Sequence, residues 1–174
     1  MIALTPVSLN DCEDLLHFEQ ENRAFFESQV TARPAGYHSP AGIQAAVERA
    51  LREAQEDLGY QYLIRDAQSQ LIGRINLSHV RRTHFFSAEL GYRIAQRACG
   101  QGHASAAVRQ MLDLAFGPLG LRRLEAHARS TNPASVRVLQ RCGFVQFGHS
   151  RRSMELQGVW HDRLYFERHR EATS

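Results

Sequence analysis

The chain has 174 residues, of which 43% are hydrophobic and 22% are charged, and its formal net charge at pH 7 is +3. This length and composition predict one globular domain, residues 1–174, with a single core. The mild positive charge suits an anionic ligand but is too weak to indicate direct nucleic-acid binding.

The pattern of apolar and turn residues predicts the element order βααβββαβαββ. A strand near Ile2 precedes a helix over residues 12–29, and Ser39-Pro40 starts a second helix that reaches Gly59. Three segments follow in which apolar and polar residues alternate, and they predict an antiparallel meander. The remaining elements are a helix from His103, a strand over residues 121–129, a short helix over residues 132–143 and two strands over residues 144–169.

Targeting signals and metal ligands are not evident in the sequence. No apolar run is long enough to cross a membrane, and the first residues lack the basic and apolar regions of a secretory signal. The three cysteines, Cys12, Cys99 and Cys142, are far apart and indicate a reducing compartment. His127 and His161 have no partners at metal-ligand spacing. We therefore expect a cytoplasmic protein without a metal site or a membrane partner.

The stretch RACGQGHA, Arg97 to Ala104, lies between a predicted strand and a predicted helix. Gly100 and Gly102 allow positive φ or a close approach of the backbone to a ligand. The free N–H groups and the dipole of the following helix favour an anion there. The sequence therefore predicts an anion-binding loop.

Three anions compete for this loop. A nucleoside triphosphate would require lysine and then serine or threonine, where the chain has His103 and Ala104. A dinucleotide fingerprint is imitated by Gly100, Gly102 and the later Glu125, but it belongs in a βαβ unit, and antiparallel strands precede this loop. The third candidate is the pyrophosphate of coenzyme A.

Two blocks of sequence resemble the GNAT acetyltransferases. Arg97-x-x-Gly100-x-Gly102 resembles their [Q/R]-x-x-G-x-[G/A] signature, and the segment NPASVRVLQRCGF, which starts at Asn132, resembles their second block. The segments AELGYRI, FEQENRAFFES and GVWHDRLYF are similar to the RimJ/RimL branch, which acetylates the N-termini of ribosomal proteins. The resemblance implies an α/β fold with a mixed, mostly antiparallel sheet that is splayed between strands 4 and 5 and flanked by helices.

The resemblance also implies acetyl-CoA as cosubstrate. Asn132 would bind an amide of the pantetheine arm, and Arg137 and Arg141, with Arg97, are candidates for the adenosine phosphates. The backbone around the pyrophosphate would come from Arg97, Ala98, Cys99, Gly100, Gln101, Gly102 and His103.

The group that meets the leaving thiolate is not the usual one. Many GNAT enzymes carry a tyrosine seven residues after the asparagine, and Leu139 stands there in this chain. Ser135 lies one helical turn earlier on the same face, and in the RimJ/RimL type a serine at this place is thought to protonate or hydrogen-bond the thiolate. The alternative is that Ser135 only begins a short helix, with Tyr92 or a water as donor.

Two carboxylates are candidates for the general base, Glu89 in AELGYRI and Glu155 in RRSMELQG. Either could instead be an ordinary solvated strand carboxylate. Glu89 is favoured because it alternates with the apolar Leu90 and Tyr92 in a strand that leads directly into the glycine loop. Direct attack of the amine is expected, since Cys99 has no evident histidine and acid partner for an acyl-enzyme.

The acceptor is expected to be a primary amine. An α-amino group, with an ordinary pKa of about 8, is deprotonated more easily than lysine at about 10.4. We therefore favour the N-terminal amine of a protein; a small-molecule amine acetyltransferase and a non-catalytic CoA-binding module remain as alternatives, and a homodimer is left open. Candidates for the wall of the acceptor cleft are Phe25, Phe26, Tyr37 and Trp160.

Overall fold

One seven-stranded sheet organises the chain in the computed structural model, which describes residues 1–171. Its strands are β1 (Ile2–Pro6), β2 (Tyr60–Asp66), β3 (Leu71–Arg81), β4 (Ser87–Ile94), β5 (Arg123–Arg129), β6 (Val145–Leu156) and β7 (Val159–His169). The helices are α1 (Cys12–Glu21), α2 (Arg23–Glu27), α3 (Pro40–Gln55), α4 (His103–Phe116) and α5 (Pro133–Arg141). Short 3₁₀ turns cover Leu9–Asp11 and Gln96–Ala98.

The strand order is β1-β2-β3-β4-β5-β7-β6. Neighbouring strands run antiparallel, except β4 and β5, which are parallel. The pairing of β4 with β5 covers only Ser87 to Glu89 against Arg123 to Glu125. Beyond Glu89, β4 continues to Ile94 while β5 pairs with β7, so a gap opens between the two central strands. The predicted fold class and the splay between strands 4 and 5 are confirmed.

Helices cover both faces of the sheet, and strand alternation assigns each residue of β4 to one of them. Tyr92 contacts α5, whereas Arg93 contacts Glu19 of α1, so successive side chains of β4 meet different helices. On the α4 side, the core is closed by Ala107, Val108, Met111 and Ala115, and on the α1 and α3 side by Leu15, Phe18, Ile43 and Val47.

The expectation of one unbroken helix over residues 12–29 is wrong, because the helix is interrupted at Asn22. The buried Asn22 amide donates to the Phe18 carbonyl and accepts a hydrogen bond of 2.9 Å from the Gln96 backbone N–H. This side chain therefore holds α1 to the end of β4, and α2 leaves in a new direction. The second predicted helix begins at Pro40 behind Ser39, whose hydroxyl accepts from the Gly42 N–H, and ends at Gln55 instead of Gly59.

Candidate active site

The glycine loop lies between the end of β4 and the start of α4. Gly100 and Gly102 have φ of +76° and +81°, and a Cβ on either would meet no atom within 4 Å. Glycine is needed here for the left-handed backbone, since the space around both residues is open. Gly102 also occupies the N-cap position of α4 and offers no side-chain cap. The first N–H groups of α4 therefore lack a side-chain acceptor, as an anion site requires.

Three contacts hold this loop in place. The Arg97 guanidinium donates to the Leu71 carbonyl at 3.1 Å, which turns it back toward the start of β3. Gln101 closes the turn through a 3.0 Å bond to the Arg97 carbonyl. The Cys99 thiol donates to the Ala95 carbonyl, and desolvation raises the pKa of this thiol, so it is protonated near neutral pH. The loop is thus preorganised by its own side chains.

Glu89 is the last residue of β4 that pairs with β5, so its side chain lies where the gap begins. The side chain is 40% exposed, and one carboxylate oxygen lies 3.2 Å from Nδ1 of His79. Its neighbour across the strands, Glu125, is instead paired with Arg123. Glu89 is therefore reachable from solvent and has histidine, not arginine, as its polar contact.

Ser135 lies in the first turn of α5, and its Oγ is 3.0 Å from the Tyr92 hydroxyl of β4. The Asn132 side chain accepts a hydrogen bond from the Ser135 N–H at 3.2 Å and so caps α5. Burial raises the pKa of Tyr92 to about 12, which keeps the phenol protonated. The structure thus brings Asn132, Ser135 and Tyr92 together beside the gap.

The other positions on α5 divide between core and surface. Leu139, at the place of the family tyrosine, is almost fully buried in the core. Cys142 is buried in the core, and its thiol donates to the Ser105 carbonyl. Arg137 and Arg141 are exposed on the outer face of the helix.

Glu155 lies next to the β6–β7 turn, opposite Trp160 of β7. Its exposed carboxylate accepts a hydrogen bond from the Gly158 N–H and closes that turn. The neighbouring Gln157 donates to the Glu27 carbonyl at 3.3 Å, which places the turn beside α2. Among the aromatic candidates for the acceptor cleft, Trp160 is exposed, whereas Phe26 and Tyr37 are buried.

Two histidines lie near Glu89, and the sequence motifs assign a role there to neither of them. His79 contacts it directly, from a left-handed backbone position in β3 with φ of +51°. His127 lies two residues after Glu125 on the same face of β5. Desolvation and Arg163 lower the pKa of His127 although Glu89 opposes them, so this ring is neutral near pH 7. The antiparallel pairing of β3 with β4 brings His79 to Glu89, and the parallel pairing of β4 with β5 brings His127 there.

Across residues 1–171, no three His, Cys, Asp or Glu side chains are grouped in a way that could hold a metal ion. None of the helices within that range has the length and apolar character needed to cross a membrane.

Comparison with known sequences identifies relatives over most of the chain. The profile of the acetyltransferase (GNAT) domain matches residues 2–145. A probable N-acetyltransferase, YjcK of Bacillus subtilis, is 32% identical over 162 residues, which are 92% of this chain and 90% of that protein. The spermidine N(1)-acetyltransferase of Vibrio cholerae is 33% identical over 106 residues, or 60% of this chain and 61% of that protein.

Solved structures match nearly the whole fold. A ribosomal-protein-S5-alanine acetyltransferase from Vibrio fischeri superposes with a TM-score of 0.92 at 21% identity, over 97% of this chain and 92% of that one. RimJ of Mycobacterium smegmatis, solved in complex with CoA-disulfide, gives 0.88 at 25% identity, over 97% of this chain and 81% of that one.

Proposed function

Because the chain belongs to the GNAT acetyltransferase family and is an N-acetyltransferase of the RimJ/RimL-like branch, we propose that it acetylates the N-terminal α-amino group of a protein, in the first place a ribosomal protein. The observation that carries this proposal is the gap between β4 and β5, which runs from the glycine loop to Glu89 and has Ser135 at its side. A ribosomal acceptor would put the activity in the cytoplasm.

In this proposal the glycine loop binds the pyrophosphate of acetyl-CoA. The uncapped N–H groups at the start of α4 and the left-handed Gly100 and Gly102 supply donors without side chains in the way. Asn132 uses its Oδ1 to cap α5, so its Nδ2 would serve the pantetheine arm. Arg137 and Arg141 would meet the adenosine phosphates from the exposed face of α5.

The base in this proposal is Glu89, acting through a water. Transfer requires a neutral amine, and Glu89 lies at the opening of the gap on the face of β4 that is turned toward α1 and α2. Its polar contact, His79, gives the proton a route to solvent. Glu155 is the weaker candidate, because its carboxylate is engaged with the Gly158 N–H in a turn.

Ser135 would stabilise the leaving thiolate. As the amine attacks, a C–N bond forms and the C–S bond breaks, leaving charge on sulfur. The Tyr92 hydroxyl can donate to the Ser135 Oγ at 3.0 Å, which leaves the serine proton to point at the sulfur. The high pKa of Tyr92, about 12, makes it a permanent donor in this pair. Solvent then supplies the proton that ends on the thiol.

A second acceptor class is a polyamine. The similarity to the Vibrio cholerae spermidine acetyltransferase supports it, at 33% identity over 60% of this chain. The N-terminal acceptor is preferred because an α-amine, with an ordinary pKa of about 8, is deprotonated more easily by a half-exposed carboxylate such as Glu89. Membership of an enzyme family sets the non-catalytic CoA-binding alternative aside.

The test is a panel of acceptors with acetyl-CoA. N-terminal peptides of ribosomal proteins, lysine peptides with blocked N-termini, and spermidine are compared by their kcat/KM. The chain contains no lysine, so acetylation of its own side chains gives little background. We expect the free N-terminal peptides to be preferred by at least tenfold. A preference for spermidine or blocked lysine peptides would contradict the proposal.

A further inference from the structure

Three arginines converge on a single buried carboxylate on the face of the sheet that α1 covers. Glu19 of α1 is 1% exposed and contacts Arg74 at 2.5 Å, Arg33 at 3.3 Å and Arg93 at 3.6 Å. Burial opposes ionisation of Glu19, but Arg74, Arg33 and Arg93 outweigh it and lower the pKa of this carboxyl. One negative charge is thus shared among three guanidinium groups, which leaves an excess of two positive charges.

Arg74 is the member whose hydrogen bonds are satisfied. It donates to Glu19, to the Tyr37 hydroxyl at 2.7 Å and to the Gln61 side chain at 2.7 Å. Glu19 lies in α1 and Gln61 in β2, and the buried Tyr37 lies in the turn that precedes α3. Arg74 and Glu19 therefore form the structural pair, and the remaining two arginines need a different account.

Arg33 and Arg93 are largely buried, at 29% and 21% side-chain exposure, and are poorly partnered. Within residues 1–171, the Nε of Arg33 is buried without a hydrogen-bond partner. The contact of Arg93 with Glu19, at 3.6 Å, is longer than a hydrogen bond. Desolvation and repulsion from Arg33 lower the pKa of Arg93 to about 10. A buried donor without an acceptor is costly, so these groups have unused binding capacity.

A small cavity opens beside these two arginines. It measures about 10 Å³, room for a single water or one oxygen of a larger group, and Thr31 and His38 also contribute to its wall. Arg23, at its edge, is already neutralised by Glu27 at 2.9 Å. The positive charge that faces the opening therefore comes from Arg33 and Arg93.

The cavity lies on the same face of β4 as Glu89. Arg93 is four residues after Glu89 in the strand, a distance of about 13 Å along one face. Residues 26–28 bridge the two sides of the gap. The Phe26 ring packs against the Arg93 guanidinium of β4, and Arg129 of β5 donates to the Ser28 carbonyl. An acceptor that has its amine at Glu89 and extends along this face of β4 toward Arg93 would meet the cavity.

We propose that Arg33 and Arg93 form an oxyanion subsite that binds an acidic group, a carboxylate or a phosphate, carried by the amine acceptor. This inference rests on the proposed acetyltransferase activity and narrows its substrate class. In an extended peptide, about 13 Å corresponds to about four residues, so the acidic group belongs near the third to fifth position.

The peptide experiment compares acceptors that differ at one position. Free N-terminal peptides carry Glu, phosphoserine or Gln at position 4, and KM is measured with saturating acetyl-CoA for the wild-type protein, R33Q and the control R49Q. Arg49 is a surface arginine of α3, 64% exposed and paired with Glu53. We expect the acidic peptides to have at least tenfold lower KM than the Gln peptide, and R33Q alone to abolish that difference. The Glu and phosphoserine peptides separate a carboxylate from a phosphate.

A binding experiment tests the subsite without turnover. Inorganic phosphate is titrated by calorimetry into protein saturated with CoA, so that the glycine loop is occupied. Binding by the wild-type protein and by R49Q, with at least tenfold weaker binding by R33Q, is the expected result. Equal phosphate binding by R33Q and wild type, or none by either, overturns the subsite whatever the enzyme acetylates.

The two experiments fail separately. Equal KM for acidic and neutral peptides overturns the acceptor role of the subsite and leaves the acetyltransferase proposal standing. Absence of turnover with every protein N-terminus overturns the proposed acceptor, and the phosphate titration still decides the subsite. Arg33 lies in the segment between α2 and α3, outside the helices and strands, and a thermal unfolding curve of R33Q establishes that the fold is retained.

Discussion

The Tyr92 hydroxyl of β4 lies 3.0 Å from the Ser135 Oγ of α5, beside the gap between β4 and β5. The buried Leu139 stands at the position of the family tyrosine, and Ser135 carries the hydroxyl nearest to that position on the same helix. We propose that this tyrosine from a strand and this serine from a helix together take the role that a single tyrosine has in many GNAT enzymes.

The first prediction concerns Ser135→Ala. Loss of one preorganised donor to a developing charge costs about 10²-fold in rate, so kcat should fall by about that factor. Ser135 receives its helix cap through the backbone N–H, which alanine retains, so KM for acetyl-CoA should stay nearly constant. Steady-state kinetics measure both constants.

The control for Ser135 is Ser153→Ala, at an exposed position of the β6 strand. It should retain wild-type kcat. A Ser135→Ala enzyme within about twofold of wild type would reduce Ser135 to a helix-start residue and make Tyr92 or a bound water the donor.

The second prediction uses the raised pKa of Tyr92. Burial moves this pKa from 10.0 to about 12, so the folded state favours the protonated phenol. The associated stability is fully present below pH 10 and is lost as the pH rises from 10 to 12. A shift of about two units corresponds to roughly 2 to 3 kcal/mol. Wild type should therefore lose that much more stability than Tyr92→Phe over this window.

The measurement is denaturant unfolding of both proteins between pH 7 and pH 12, with the difference at pH 7 as baseline. The absence of lysine removes the side chain that would otherwise titrate most strongly in this range. Parallel stability curves for the two proteins would show that Tyr92 is not protonated preferentially in the folded state.

The glycine loop could be predicted from sequence because its determinants are local. Gly100, Gly102 and the start of α4 lie within a few residues, and each glycine has the positive φ that its residue type favours. The splay of the sheet came instead from the resemblance to a known family. The splay begins where the pairing of β4 with β5 stops, at Glu89 and Glu125, and these two residues come from distant segments of the chain.

The contacts that could not be predicted are those between distant residues. The helix break at Asn22 depends on the Gln96 backbone, 74 positions later in the chain. The Tyr92–Ser135 contact spans 43 positions, and Glu19 meets Arg74 across 55. Residue type alone does not specify such partners, because they follow from how the sheet places β3 and β4 against α1 and α5. A homodimer and the extent of the domain stay predictions.

The third prediction separates the two candidate bases. Glu89→Gln should lower kcat most at low pH, where deprotonation of the amine limits the rate, and should leave CoA affinity unchanged. A loss of 10²- to 10⁴-fold is expected for a positioned base. The pH profile of kcat is the measurement. Glu155→Gln is the matched substitution, and its effect should stay small because that carboxylate only closes a turn. Full activity of Glu89→Gln with loss in Glu155→Gln would reverse the assignment.

The fourth prediction concerns Glu19→Gln. This change leaves Arg74 without its carboxylate, and removing one partner of a buried ion pair costs about 3 to 5 kcal/mol. Since the pKa of Glu19 is lowered, its contribution is present above the ordinary carboxyl pKa and is lost as the pH falls through the folded value. Urea unfolding should show a large deficit at pH 7 that narrows in acid. Equal stability of the two proteins at pH 7 would mean that the three arginines do not depend on Glu19.

The last prediction concerns Gly102→Asp and its control, Gly120→Asp. Both glycines have positive φ, +81° and +63°, and both have open space where a Cβ would lie, so the two substitutions strain the backbone alike. They differ in position, because Gly102 is the N-cap of α4 in the glycine loop, whereas Gly120 lies between α4 and β5. At Gly102 the new carboxylate would face the phosphates and compete for the free N–H groups of the helix. We expect CoA binding to weaken by at least ~2 kcal/mol, or about 30-fold, in Gly102→Asp alone. Calorimetric titration of CoA into the three folded proteins measures this difference. If Gly120→Asp weakens CoA as much as Gly102→Asp does, general strain is the cause, and the loop is not the phosphate site.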